Sequence, residues 1–152
     1  MVWPGDVLSI ILAVVLGAAV GLEREVHRKA AGLRTNVLIS LGAAVFTIIS
    51  IQMGAGHEGS ITRIAAGVVT GVGFLGAGAI IQDRGGIHGL TTAATIWMVA
   101  SIGMACGAKL YLLAVVSTLI AVVVLIGFGR LEKPLGRFGK KNKSQSFADE
   151  KD

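Results

Sequence analysis

Charge is missing from five long stretches of this chain. Residues 7–22, 37–53, 64–81, 90–108 and 110–129 contain no Asp, Glu, Lys, Arg or His. Each stretch comes close to the roughly 20 apolar residues that cross a bilayer core. A soluble helical bundle would need a polar face on every helix, and these stretches have none. Only Lys109 separates the last two. A single helix through both would run about 60 Å, twice the hydrocarbon thickness of roughly 30 Å. The chain must therefore fold back near Gly107-Ala108-Lys109. The pattern predicts an all-α integral membrane protein, a bundle of five transmembrane helices. They fall near residues 5–23, 35–54, 61–82, 89–107 and 109–129, ahead of a basic, disordered tail over 131–152.

Composition agrees with this reading. Of 152 residues, 53% are hydrophobic and 15% charged, with a mean hydropathy of +0.76. Soluble domains carry about 25% charged residues, so the apolar surplus must face lipid. The opening "MVWPGD" has no basic region and no cleavage pattern, and no removable signal peptide is expected. The lone Cys106 excludes an internal disulfide and a multi-cysteine zinc site.

Charge then orients the bundle. Arg24, Arg28, Lys29, Arg34, Arg84 and seven tail residues share one side, twelve basic residues in all, against Arg63 and Lys109 on the other. Lysine and arginine gather on the cytoplasmic side, so the N-terminus is expected outside and the C-terminus inside. The net charge of +5 is accordingly a topology signal, and no nucleic-acid partner is expected. "GLEREVHRKAAGLRT", residues 21–35, becomes the first cytoplasmic loop. Glu23 lies at its hydrocarbon boundary, where an unpaired carboxylate is costly. Arg34, at the mouth of the second helix, is its expected partner, with Arg24 and Asp83 completing a charged cluster.

Glycines and threonines supply the remaining candidates. Gly17/Gly21, Gly67/Gly71 and Gly103/Gly107 have the G-x-x-x-G spacing that lets helix backbones approach, so packing within the bundle is expected, and a homo-oligomer, most simply a dimer. Gly71-Val72-Gly73-Phe74-Leu75-Gly76 formally matches a dinucleotide fingerprint, but it lies inside an apolar membrane-length run, without the strand and ribose-binding acid that motif requires. Gly73, Gly76 and Gly78 continue the series as packing positions; their density fits either a kink or local unwinding near the cytoplasmic end, or weak helix propensity made tolerable by lipid. Thr91, Thr92 and Thr95 open the fourth helix. Their hydroxyls can bond carbonyls of their own helix or line a polar pocket with Glu23, Arg34, Thr35 and Asp83. Glu23 and Asp83 are the candidate ligands if a magnesium ion binds; no other cofactor and no enzymatic nucleophile–base arrangement is expected.

Three strings together, "GLERE…AGLRTNVLISLGAAVF", "RIAA…GVGFLGAGAII" and "GLTTAATIW", resemble the successive signatures of the MgtC/SapB family of bacterial inner-membrane proteins. The resemblance spans about residues 10–130. It implies a five-helix membrane domain, often followed by an ACT-like cytoplasmic domain. It also implies a link to growth in low magnesium and to survival of pathogens in host cells, with ATP synthase as a proposed partner. By position the family pattern picks out Gly21, Glu23, Arg24, the run Ala31 to Thr35, Arg63 on the external side, the run Gly73 to Gly78, and Gly89, Leu90, Thr92 to Thr95 and Trp97. This chain departs from the virulence-type members at Thr91 and Met98, where they have Asn and Cys. It has Gly59-Ser60-Ile61-Thr62 ahead of Arg63, where many members have Asp-Pro, and the residues after 130 leave no room for the cytoplasmic domain. Two functions follow as expectations. One is a regulatory or partner-binding role in magnesium homeostasis or acid stress; the other is a cation transporter using the acidic and threonine cluster.

Overall fold

The structure, a computed structural model, describes residues 4–54, 58–83 and 86–146. Helix α1 is Pro4–Val26, α2 is Leu33–Met53, α3 is Glu58–Gly78, α4 is Leu90–Gly107 and α5 is Tyr111–Ser146. A short antiparallel hairpin, β1 Ile81–Asp83 and β2 Gly86–His88, joins α3 to α4 with Ile81 opposite His88. The protein is thus helical throughout its spans.

Local chemistry sets the boundaries. Pro4 opens α1, where its fixed φ suits the first turn and its missing N–H is not needed. Beyond Val26, Arg28 and Ala31 take positive φ values of 51° and 55° and reverse the chain within six residues. Glu25 Oε2 then accepts from the backbone N–H of Leu33 at 3.1 Å, capping α2 from outside the helix. Lys109, at φ 63°, turns α4 into α5 where the unbroken apolar run required a reversal. The N–H of Leu110 bonds back to the carbonyl of Ala105 at 2.8 Å, closing that helix end.

Helix α4 is the centre and packs against all four others. Helix α1 packs on α2 and α5 as well, and α3 packs on α2. The innermost contacts are made by Ala13, Val20, Ala44, Val99, Ile102 and Cys106. Most of these side chains are small, because the backbones nearly touch. A Cβ added at Gly17 would lie 2.8 Å from Ser40 Cβ, and one at Gly21 2.8 Å from Leu33 Cα. On the other side of α2, a Cβ at Gly103 would run into the carbonyl of Ser40, and one at Gly107 would lie 2.5 Å from the Ala44 oxygen. Helix α2 is thus clasped between the glycine stripes of α1 and α4. Ser40 marks the crossing: it is fully buried, and its Oγ donates to the Ala13 carbonyl at 2.8 Å.

The third stripe behaves differently. Gly67, Gly71, Gly73 and Gly78 meet nothing within 4 Å, and Gly76 would make only an ordinary contact, 3.5 Å from the Ala93 oxygen. The expected packing at Gly67/Gly71 is not made among the described residues. Helix α3 turns Val68, Val72 and Gly76 inward, at four-residue spacing, which leaves Gly67 and Gly71 on an open groove beside α2 and Gly73 and Gly78 on exposed positions. Two boundaries also differ from expectation. Helix α3 ends at Gly78 rather than near 82, because the chain enters the hairpin. Helix α5 continues to Ser146, through the segment expected to be disordered. Extending an existing helix needs no new nucleus, although Pro134 within this segment has no N–H to donate to the ladder.

Among the described residues, four helical segments, Pro4–Val26, Leu33–Met53, Leu90–Gly107 and Tyr111–Gly129, are long and apolar enough to cross a membrane; the apolar part of α3, Ala65–Gly78, is shorter. Their outer surfaces carry large apolar side chains, among them Phe74 at 80% and Leu112 at 79% exposure. A continuous coat of this kind fits lipid, not water. This is a membrane protein.

Candidate functional site

The end of the bundle where α1 finishes and α4 begins holds a polar pocket of about 760 Å³. Its walls are Glu23, Arg24, His27 and Lys29 from the end of α1 and its loop, His88 to Thr92 from the hairpin and α4, and Val124 to Ile126 with Phe128 from α5. The Glu23 side chain is only 7% exposed, and its Oε1 lies 3.1 Å from His27 Nδ1. Arg24 is 3% exposed, and its Nη2 donates to Thr92 Oγ1 at 3.0 Å. This buried bond ties the end of α1 to the first turn of α4.

Among the described residues, three buried side-chain atoms at this end have no hydrogen-bond partner: Glu23 Oε2, Arg24 Nε and Asn36 Oδ1. Asn36 is fully buried, and its Nδ2 donates to the carbonyls of Ala31 and Gly32, bracing the loop from inside. Orphaned buried groups of this kind are uncommon and call for an explanation.

The expected cluster is therefore only partly assembled. Glu23, Arg24, Thr91 and Thr92 share the pocket. Arg34 does not join them: it is exposed, and Glu23 pairs with His27 instead. The reason is helical phase. Leu33, Asn36 and Ser40 face α1, so Arg34, Thr35 and Leu38 fall on another face of α2. There they line a separate, mostly apolar groove of about 1080 Å³ between α2 and α3, together with Gly67 and Gly71. Thr95 donates to the Thr91 carbonyl at 2.7 Å, satisfied within its own helix. Asp83 closes β1, and its side chain lies outside the described residues. Arg63 is exposed in the first half of α3. Among the described residues no group of three His, Cys, Asp or Glu side chains could hold a metal ion.

Sequence reasoning missed a second polar centre. At the other end of α1, Asp6 is buried at 4% exposure. Its Oδ1 lies 3.2 Å from Lys109 Nζ, and its Oδ2 accepts from Gln52 at 2.9 Å. Beside it, Ser9 Oγ and Tyr111 OH lie 3.0 Å apart, and Tyr111 OH donates to the Gly5 carbonyl at 3.2 Å. This centre joins α1, the end of α2 and the α4–α5 turn. An available clue was that Asp6 and Lys109 each stand directly beside an apolar stretch.

A model of the MgtC family matches residues 10–134. The chain belongs to the MgtC family. It is 44% identical over 131 residues to the Escherichia coli K12 protein named "Putative magnesium transporter YhiD", covering 82% of this chain and 61% of that protein. It is 44% identical over 123 residues to Protein MgtC of Brucella abortus, covering 81% of this chain and 49% of that protein. For Protein MgtC of Salmonella typhimurium the identity is 44% over 114 residues, covering 75% of this chain and 48% of that protein. The chain thus spans about half to three fifths of the length of these relatives. No solved structure matches it. In this chain the "GLERE" and "GLTTAATIW" strings meet in space, through Arg24 and Thr92.

Proposed function

We propose that this MgtC-family protein lies in the bacterial inner membrane, N-terminus outside and C-terminus inside, and acts by binding rather than by conduction or catalysis. Its role on this reading is regulatory, in magnesium homeostasis and in acid or low-magnesium stress, exerted through a membrane complex such as ATP synthase. The observation that carries it is Arg24. A guanidinium at 3% exposure, bonded to Thr92, holds a fixed positive charge on the wall of the polar pocket. A divalent cation crossing there would meet that charge beside the Glu23 carboxylate, so the neighbouring pair offers it little net attraction. The twelve-to-two distribution of basic residues supports the orientation. The exposed Gly67/Gly71 stripe supports a homodimer.

The second reading is a magnesium transporter. The printed name of the E. coli relative favours it, as does the unpartnered Oε2 of Glu23. Magnesium flux into vesicles reconstituted with the purified chain separates the two. The binding reading expects flux equal to that of empty vesicles, with a specific membrane protein recovered on crosslinking in native membranes. Saturable magnesium flux lost in Glu23→Gln would overturn it.

A further inference from the structure

We infer that the polar pocket at the α1–α4 end is a binding site for one phospholipid with a phosphoethanolamine headgroup. Two independent features point to an anion there. Gly89, the residue just ahead of α4, lies in the left-handed region at φ 88°, and no side chain caps the helix's first turn. Residues Leu90, Thr91 and Thr92, whose N–H groups form that turn, line the pocket. An 18-residue helix offers the positive end of its dipole at this point. Separately, Arg24 reaches the same pocket almost wholly buried, with its Nε unpartnered. A phosphate at the start of α4 would engage both.

The rest of the pocket narrows the ligand class. Glu23 Oε2 is a buried acceptor without a donor, on a side chain 7% exposed. A simple anion would leave it unsatisfied and add repulsion. A primary ammonium, a few bonds from the phosphate, would supply its hydrogen bond and offset its charge. One zwitterionic headgroup thus answers an orphan donor and an orphan acceptor on adjacent residues. The opposite wall is hydrocarbon, Leu125 and Phe128 of α5, and α5 is the helix least enclosed by its neighbours. Acyl chains can enter from that side, whereas a soluble amino-phosphate would leave the wall in water. The assignment concerns the pocket alone and stands whether or not the protein moves magnesium.

The test uses the full chain in a mild detergent, with lipid retention read by native mass spectrometry. The probes are phosphatidylethanolamine, phosphatidylcholine and phosphatidylglycerol of matched chains, with inorganic phosphate as competitor. Wild type should hold one phosphatidylethanolamine at least about tenfold more tightly than phosphatidylcholine, whose quaternary ammonium has no N–H to give. Glu23→Gln should bring that ratio near one while lipid binding persists. Lys29→Ala, at an exposed pocket position, should weaken all three lipids without disturbing the fold. Equal retention of the ethanolamine and choline lipids by wild type would overturn the proposal. So would a preference unchanged in Glu23→Gln, a preference for phosphatidylglycerol, or displacement by inorganic phosphate at low millimolar concentration.

Discussion

Replacing Gly103 by alanine puts a methyl group against the backbone of the neighbouring helix. The new Cβ would overlap the Ser40 carbonyl oxygen and lie 2.8 Å from its carbon and 2.9 Å from its Cα. Comfortable carbon–carbon contact is about 3.5–4.0 Å, so α2 and α4 would have to part by roughly 1 Å. Helix α2 has little room to yield. Gly17 of α1 presses on Ser40 from the far side, and the Ser40 hydroxyl is bonded to Ala13. Overpacking of this kind costs about 1–3 kcal/mol. Any helical glycine replaced by alanine also gains up to about 1 kcal/mol in propensity. Gly71→Ala shares that gain and has nothing within 4 Å, so the difference between the two variants isolates the clash. Gly103→Ala should therefore be about 1–3 kcal/mol less stable than Gly71→Ala. Reversible unfolding in mixed micelles, followed by far-ultraviolet circular dichroism, measures this. Equal stability within about 0.5 kcal/mol would refute the clasped-helix account.

Gly71→Leu, which the spacing alone would condemn, should fold with normal stability; if copies meet at the α2–α3 groove, crosslinked dimers should disappear in that variant. Thr92→Val removes the hydroxyl that accepts from Arg24 and leaves a buried guanidinium without a partner, so a loss of about 1–3 kcal/mol is expected in the same unfolding assay. Arg34→Ala should stay within about 0.5 kcal/mol of wild type, since its side chain is exposed; a larger loss would restore it as a partner for Glu23. A reporter fused after Asp152 should read as cytoplasmic and one inserted at His57 as external, and the reverse at either point would break the proposed orientation.

Four long apolar spans and the fold-back at Lys109 were legible in the chain because they depend on local properties. An uncharged stretch either reaches across a bilayer or it does not, and no neighbour is needed to decide. The family strings were legible in the same way, and they flagged Glu23, Arg24 and the threonines before any geometry. The hairpin was not legible, because Ile81 to His88 is a short, mostly polar connection with no alternating pattern, and only its pairing gives it shape.

What the tertiary structure alone decided was which face of each helix looks where. Gly17/Gly21, Gly67/Gly71 and Gly103/Gly107 have identical spacing, yet two pairs touch α2 and the third opens onto a groove. Each residue along a helix turns the side chain by about 100°, so a small change in phase moves a glycine from a contact to an open surface. The same rotation separates Arg34 from Glu23, and it divides Thr92, bonded to Arg24, from Thr95, bonded to its own helix. The Asp6–Lys109 pair joins residues at opposite ends of the span sequence, brought together by the stacking of α1 against α4 and α5. Periodicity and charge are written along one chain, but a contact needs the relative rotation and height of two helices, and those follow only from the packing of all of them at once.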